Sequence, residues 1–458
     1  METEGRTKIY MREVAGRFMR VRTAVSFSLL VVYFALPWVK YGGRQAVLFD
    51  IPGRKFHVFN FTFWPEELYY LAFAIIFLVI ALFFFTAVAG RLWCGYACPQ
   101  TVFTDIFMRI ERLVEGGRRT RIALDEAGLS WSKAARKIAK HALWLAFSFA
   151  TAFAFVSYFI PPMELLSRMT SGALTSANAF WLGLFTLATY GDCAFLRELM
   201  CLVPCPYGRF QSALFDQDTL IVGYDQKRGE PRAHGKDRKD GGGDCVDCTL
   251  CVQVCPTGID IRNGLQYECI ACAQCIDACD AVMRKMGLKE GLIRYGSLRT
   301  ISGGTTKVLR PRLVLYGACL TALFSLLTWK LATRTPLEIE VLRDRASLYQ
   351  RGPDGRISNL YTIKAMNMDS KEHIYRIKTE GIDASIVVGR NPVTVKSGEV
   401  YQTALALVVD RAEGERVKRF DFVLEDAADP GVRAARRSTF LIPEAGAGKL
   451  LNAEGGVK

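Results

Sequence analysis

The chain has 458 residues, room for about three domains of ordinary size. Half of them are hydrophobic and 29 are Phe, which excludes a disordered chain and points away from an ordinary soluble protein towards membrane segments. The net charge of +14 lies in loops between apolar runs and forms no patch interleaved with aromatics, so nucleic acid is excluded as a partner and the positive-inside rule explains the excess.

Residues 1–22 form a basic N-terminus with Arg6, Lys8, Arg12, Arg17, Arg20 and Arg22. Thr23–Val39 is an apolar run near the lower limit for crossing ~30 Å of hydrocarbon. A basic start before such a run also describes a signal peptide. No A-x-A-like cleavage site follows, however, and Pro37, Trp38 and Lys40 close the run, so a retained span with a cytoplasmic N-terminus is expected. Leu68–Ala89 is the second span and carries no charge. It leads into Arg91-Leu92-Trp93-Cys94-Gly95-Tyr96-Ala97-Cys98-Pro99 and a basic stretch from Arg109 to Lys137, which composition assigns to the cytosol. Ala142–Ile160 is the third span, stopped by Pro161-Pro162, and Asn178–Leu196 is the fourth. Cys201-Leu202-Val203-Pro204-Cys205-Pro206 follows.

The motif CxxxCP thus occurs twice, each time after an even-numbered span. Spacing i, i+4 puts two thiols on one face of a helical turn, and the Pro is expected to end the helix. Together, Cys94, Cys98, Cys201 and Cys205 offer four thiolates at the mouth of the bundle, a soft set suited to Cu(I), zinc or an iron–sulfur cluster. Structural thiols at helix ends are the plainer alternative. Cys193 is a candidate fifth participant, and Cys319 reads as a small apolar residue of the last span.

A polar linker, Tyr224–Asp244, leads to the densest cysteine region. Cys245, Cys248, Cys251 and Cys255 are spaced C-x2-C-x2-C-x3-C, and Cys269, Cys272, Cys275 and Cys279 repeat it. This is the bacterial ferredoxin run, whose fourth Cys ligates the other cluster. One [4Fe–4S] cluster therefore takes Cys245, Cys248, Cys251 and Cys279, and the second Cys269, Cys272, Cys275 and Cys255. A zinc site would use one closed tetrahedral set rather than a doubled three-plus-one spacing, and a cytosolic location disfavours disulfides. Asp280 stands in the second run where Pro256 stands in the first.

The fifth span, Leu313–Leu331, follows Lys307, Arg310 and Arg312. Beyond about Ile339, short alternating runs separated by Gly, Pro, Asn and Asp predict an all-β sandwich. Met366, Met368 and His373 are soft donors there that suit copper, with ordinary strand and turn duty the favoured alternative. The predicted organisation is a cytoplasmic N-terminus (1–22), a four-helix membrane domain with both CxxxCP motifs (23–222), a linker (223–244), a ferredoxin-like module (245–312), a fifth span (313–332) and a periplasmic β-domain (333–458).

RLWCGYACPQTVF, CPYGRFQSALFD, DTLIVGYDQKRGEPR, the doubled ferredoxin run and GLIRYGS together resemble the cytochrome c oxidase accessory protein family, known as CcoG, FixG or RdxA. The resemblance implies a multi-pass polyferredoxin of the bacterial inner membrane, with its ferredoxin module cytoplasmic and an immunoglobulin-like domain in the periplasm. It implies action in cbb3-type oxidase assembly as a cupric reductase, with oxidase subunits or copper chaperones as partners. Copper is then a further candidate ligand beside two [4Fe–4S] clusters, and a second copy of the chain a candidate partner. A quinol-linked electron conduit of the NapH or NosR kind and a non-enzymatic assembly scaffold are the alternatives. No nucleotide-binding fingerprint is present, so electrons are expected from a cytoplasmic or quinol donor.

Overall fold

The computed structural model describes residues 8–232, 242–335, 337–344, 348–352, 356–368, 371–388, 390–409 and 417–442. The middle of the polar linker and both chain ends lie outside them. Two compact units are present: Met1–Phe59 with Trp64–Leu327, and Asn60–Phe63 with Thr328–Lys458.

In the first unit the apolar runs become helices because a backbone in hydrocarbon must satisfy its own hydrogen bonds. Five helices are long and apolar enough to cross a membrane: Arg17–Trp38, Pro65–Ala89, Trp131–Val156, Ser176–Leu196 and Pro311–Ala332. The first begins as α1 (Arg17–Ala35), ahead of the expected Thr23, because the buried Arg22 guanidinium is held 2.6 Å from Asp105 Oδ1. α2 (Leu68–Ala89) ends at Gly90, whose φ of 55° suits a residue without Cβ. α3 (Leu92–Tyr96) carries the first cysteine of the first CxxxCP motif, and α4 (Pro99–Glu115) begins immediately after the second.

α5 (Arg118–Glu126) completes the basic stretch. α6 (Trp131–Val156) is capped by Ser130 and starts eleven residues before the expected Ala142, counting from the printed bounds. Its first turns, with Lys133, Arg136 and Lys137, are a polar extension of the apolar span. α7 (Pro162–Thr170) is short. α8 (Ser176–Gly191) runs into a π-helical turn, Asp192–Leu196, followed by α9 (Glu198–Leu202) and α10 (Pro206–Leu214).

Strand Leu220–Tyr224 pairs antiparallel with Ile293–Ser297, placing Val222 opposite Tyr295. Between these strands lie α11 (Gln226–Gly229), α12 (Leu250–Gln253) and α13 (Gln274–Lys285), which carry the ferredoxin-like stretch. Its core joins Val222, Ile261, Ile276, Met283 and Leu292 to the cysteine loops. α14 (Leu298–Ile301) leads to α15 (Pro311–Ala332), the fifth apolar helix.

The second unit is a β-sandwich. One sheet runs Ser385–Val388, Val400–Val409, Ile357–Asn367, Leu337–Arg343, with Gln350–Arg351 also pairing to Ile357–Asn367; the other runs Val393–Val395, His373–Glu380, Val417–Asp426, Arg433–Leu441. Burial alternates along most of Ile357–Asn367, as a strand with one face on the core requires. Tyr361, Tyr375, Phe420, Phe422 and Phe440 fill the space between the sheets.

Candidate functional site

The two ferredoxin runs fold alike. Asp247 and Thr249 flank Cys248 with φ of 48° and 57°, and Ala271 and Ala273 flank Cys272 with φ of 52° and 60°. Left-handed conformation is uncommon for residues other than Gly. Its repetition on both sides of the central cysteine curls each loop so that its amides and thiols turn inward. Such concave backbone nests are found at anion and iron–sulfur sites.

The loops enclose two cavities. Cys245, Cys248, Cys251 and Cys279 line one, walled by Tyr224, Val282, Met283, Leu292 and Ile293. Cys255, Cys269, Cys272 and Cys275 line the other, with Cys251 on the shared side. Among the described residues, no three His, Cys, Asp or Glu close on a point that a single metal ion would fill. The sulfurs instead stand around space, as a multi-atom cluster requires.

Burial pushes the Cys251 and Cys272 thiols up to about 11 and those of Cys269 and Cys279 up to about 12, and it raises Cys275 far above its usual range. Ionising them needs positive charge brought among them, which iron would supply. Guanidinium groups already favour this: Arg262 opposes the rise at Cys251, Arg22 at Cys272 and Arg91 at Cys269. The donor set fits two [4Fe–4S] clusters.

The CxxxCP pairs depart from the expected single helical turn. Cys94 lies in α3, but Cys98 has left the helix (φ −61°, ψ 128°) and Pro99 starts α4. Cys201 lies in α9, while Cys205 stands at the junction and Pro206 starts α10. The residue before a proline is steered out of the α region, and proline suits a helix's first turn. Each Pro therefore opens a new helix beyond the break.

The two breaks match. The Cys98 amide donates to the Trp93 carbonyl at 2.9 Å and the Cys205 amide to that of Met200 at 3.0 Å, five residues back in both cases. Gly208 approaches so closely that a Cβ there would lie 2.2 Å from the Cys201 carbonyl oxygen, and its amide donates to Cys205 Sγ at 3.4 Å.

The four thiols share one neighbourhood. Burial pushes Cys94 up to about 12 and Cys201 to about 11, and each also feels Cys98 and Cys205. Burial raises Cys98 as well, opposed by the backbone amides of Thr101 and Gln100 at the start of α4. Arg91, buried beside them, donates to the Gly208 carbonyl at 2.8 Å and sits in the field of Cys94, Cys269 and Cys201.

This neighbourhood abuts the second cluster loop. A Cβ on Gly95 would lie 2.7 Å from the Ile270 carbonyl oxygen. Tyr295 Oη donates to the Ala271 carbonyl at 2.5 Å and lies 3.3 Å from Tyr96 Oη. Arg91, Gly95, Tyr96 and Tyr295 were missed by sequence reasoning. Their only sequence signal is that Arg91, Gly95 and Tyr96 stand next to Cys94.

Cys193 is placed elsewhere, buried with Phe107, Trp144 and Ala194, and Cys319 is half-buried on α15. In the second unit Met366 and Met368 are buried, and His373 Nδ1 lies 2.5 Å from Asp426 Oδ2 with its ring stacked on Tyr375.

Three family models match: a 4Fe-4S binding domain over residues 71–116, a 4Fe-4S dicluster domain over 196–298, and the IG-like fold at the C-terminal of FixG over 327–443. The nitrogen fixation protein FixG of Rhizobium meliloti is 38% identical over 424 residues, 83% of this chain and 81% of that protein. The chain belongs to the FixG/RdxA family. Protein RdxA of Cereibacter sphaeroides is 38% identical over 392 residues, covering 82% and 83% of the two chains, and its RdxB is 36% identical over 416 residues, 87% of each. As a FixG/RdxA member the chain is a multi-domain membrane protein: a helical bundle with an inserted ferredoxin-like module and an immunoglobulin-like sandwich.

Proposed function

We propose that this FixG/RdxA protein is a cupric reductase of the bacterial inner membrane, supplying Cu(I) for the copper centre of a cbb3-type cytochrome oxidase. Cys245, Cys248, Cys251 and Cys279 hold one [4Fe–4S] cluster, and Cys269, Cys272, Cys275 and Cys255 the other. When bound, each cluster carries one electron at a time. The division of the eight cysteines between two cavities supports this assignment, as do the three guanidiniums that favour added negative charge.

Cys94, Cys98, Cys201 and Cys205 form the copper-facing group. Their soft sulfurs favour Cu(I) over Cu(II), so they draw the step Cu(II) + e⁻ → Cu(I) forward and retain the product. Arg91 holds the loop at Gly208 against them. The observation that carries the reading is the approach of Gly95 to the Ile270 carbonyl, which sets the residue beside Cys94 against the loop between Cys269 and Cys272.

The test uses the full chain, purified anaerobically and reduced with dithionite, with Cu(I) trapped by a chromophoric chelator. Copper is reduced by the wild type, while Cys94→Ser and Cys201→Ser lose the reaction and keep their ferredoxin iron. Failure of the wild type with both clusters reduced overturns the reading.

One observation favours a second reading, a third cluster held by the CxxxCP quartet: a 4Fe-4S binding domain model spans residues 71–116, where Cys94 and Cys98 are the only cysteines. Metal analysis separates the two, with about eight irons per chain for two clusters and about twelve for three.

The same proposal includes the orientation and partners. Five spans and basic flanks after the second and fourth put the ferredoxin module in the cytosol and the sandwich in the periplasm. Oxidase subunits or copper chaperones receive the metal.

A further inference from the structure

A cavity of ≈ 410 Å³ lies in the first unit, where α1, α4, α6 and the turn after α8 meet. That is within the usual size of a small-molecule site. One wall is redox territory: Cys201, Pro256 beside Cys255, and Ile270 beside Cys269. The opposite wall ends at Phe195, which remains 63% exposed at the end of an apolar span and stacks on the His141 ring at 6.4 Å. One side therefore borders lipid and the other the cluster loops.

The interior is built for a polar head group. Glu111 is 0% exposed, Arg22 1% and Asp105 6%, and Glu111 Oε1, Asp105 Oδ2 and Arg22 Nε and Nη1 have no hydrogen-bond partner. Buried donors and acceptors are expensive to leave unmade, so these four atoms mark places where a ligand's polar atoms belong. Lys8 and Lys140 lie 3.6 and 3.9 Å from Glu111 Oε1, beyond hydrogen-bond reach.

The chain beside the cavity is strained. The π-turn Asp192–Leu196 adds a residue to the helical turn, and Arg197 then takes φ 41°, ψ −113° while its guanidinium holds Glu111 Oε2 at 3.1 Å. π-turns and such backbone outliers concentrate at functional sites.

We infer that this cavity binds the head group of a membrane quinol, the donor that loads the two clusters. Four cations and three carboxylates line it, leaving little net field for a phosphate-bearing nucleotide. A border on lipid and unfilled hydrogen-bond positions suit a lipid-soluble diol. The step balances. A quinol gives up two electrons and two protons to become a quinone; each [4Fe–4S] cluster of the proposed function takes one electron, and Asp105 Oδ2 and Glu111 Oε1 accept the protons. The inference rests on the cluster assignment above and is independent of copper.

The test titrates the full chain, oxidised and in detergent, with ubiquinone-1 and separately with menaquinone-1 by calorimetry. One-to-one binding of either is expected, and the arm that responds identifies the quinone. Phe195→Ala, at an exposed position that folding tolerates, weakens binding about tenfold through lost ring stacking. Glu111→Gln weakens binding and slows bleaching of the cluster absorbance by the matching quinol, while dithionite still bleaches it. Binding of neither quinone to the wild type, or equal binding to both variants, overturns the inference. Quinone binding without copper reduction leaves it standing and sinks the copper reading; copper reduction by dithionite without quinone binding does the reverse.

Discussion

At Gly95 one absent methyl group decides how closely a thiol helix meets a cluster loop. Gly95→Ala puts a carbon 2.7 Å from the Ile270 oxygen, where backbone on both sides must shift. Such overpacking costs ~1–3 kcal/mol, and a lower Tm by circular dichroism in detergent is expected. Gly183→Ala, where a Cβ meets nothing within 4 Å, sits inside α8 and leaves Tm equal or slightly higher, since Ala is the better helix former. His57 carries a pH effect. Burial, then the charges of Arg44 and Lys55, lowers its imidazole to about 4. An unfolded histidine titrates near ~6.5, so on acidification the unfolded chain takes the proton first. The stability is complete above that value and is lost as pH falls towards about 4. Hydrogen exchange in Val47–Asp50 and Lys55–Val58, corrected for intrinsic rates, should therefore quicken from about pH 7 to about pH 5, and His57→Gln should remove that sensitivity.

Between elements, the link that most constrains the module is the start of α1. Its N-cap, Gly16, has no side chain, so the first-turn amides look elsewhere: Phe18 and Met19 donate to the Asp277 carboxylate on α13 at 3.2 and 2.7 Å. A carboxylate at a helix N-terminus both accepts hydrogen bonds and suits the dipole. Asp277→Ala should cost ~1–2 kcal/mol and make residues 8–22 more sensitive to limited proteolysis, with Asp277→Asn between it and the wild type. The unmoved outcome, equal proteolysis in all three, would mean that this cap does not hold α1. Nothing in the sequence announces the contact, because it joins residues 258 and 259 positions apart. The eight ferredoxin cysteines were legible because their chemistry requires short, fixed spacing within one loop. The apolar spans were legible because hydrocarbon demands length and lack of charge. The CxxxCP geometry was half legible: the motif gave the thiols and the break, but proline's fitness for a first turn moved Cys98 and Cys205 to the heads of the next helices. The π-turn at Asp192–Leu196 and the buried Glu111 and Asp105 had no local signal, since packing and charge from distant segments create them.

For the whole molecule, the decisive quantity is the parity of its spans. Five helices meet the length and hydropathy needed to cross, and an odd number leaves the chain's two ends on opposite sides. Lys and Arg set which side is which. The stretch Arg109–Lys137 is strongly basic, whereas Pro161–Ala177 carries only Arg168, and short basic loops stay in the cytosol. On the proposed orientation the ferredoxin module meets a reducing compartment, where its thiols stay free for iron, and the sandwich stands where an oxidase's outer surface would meet it. An epitope tag appended after Lys458 should then bind antibody on intact spheroplasts, while a tag before Met1 should bind only after the membrane is permeabilised. The reverse pattern would place the clusters outside and remove the cytosolic route for their electrons. Accessibility of both tags before permeabilisation would mean that one of the five apolar helices does not cross, with Ser176–Leu196 the first suspect because its π-turn carries Asp192 into the last turn of the span.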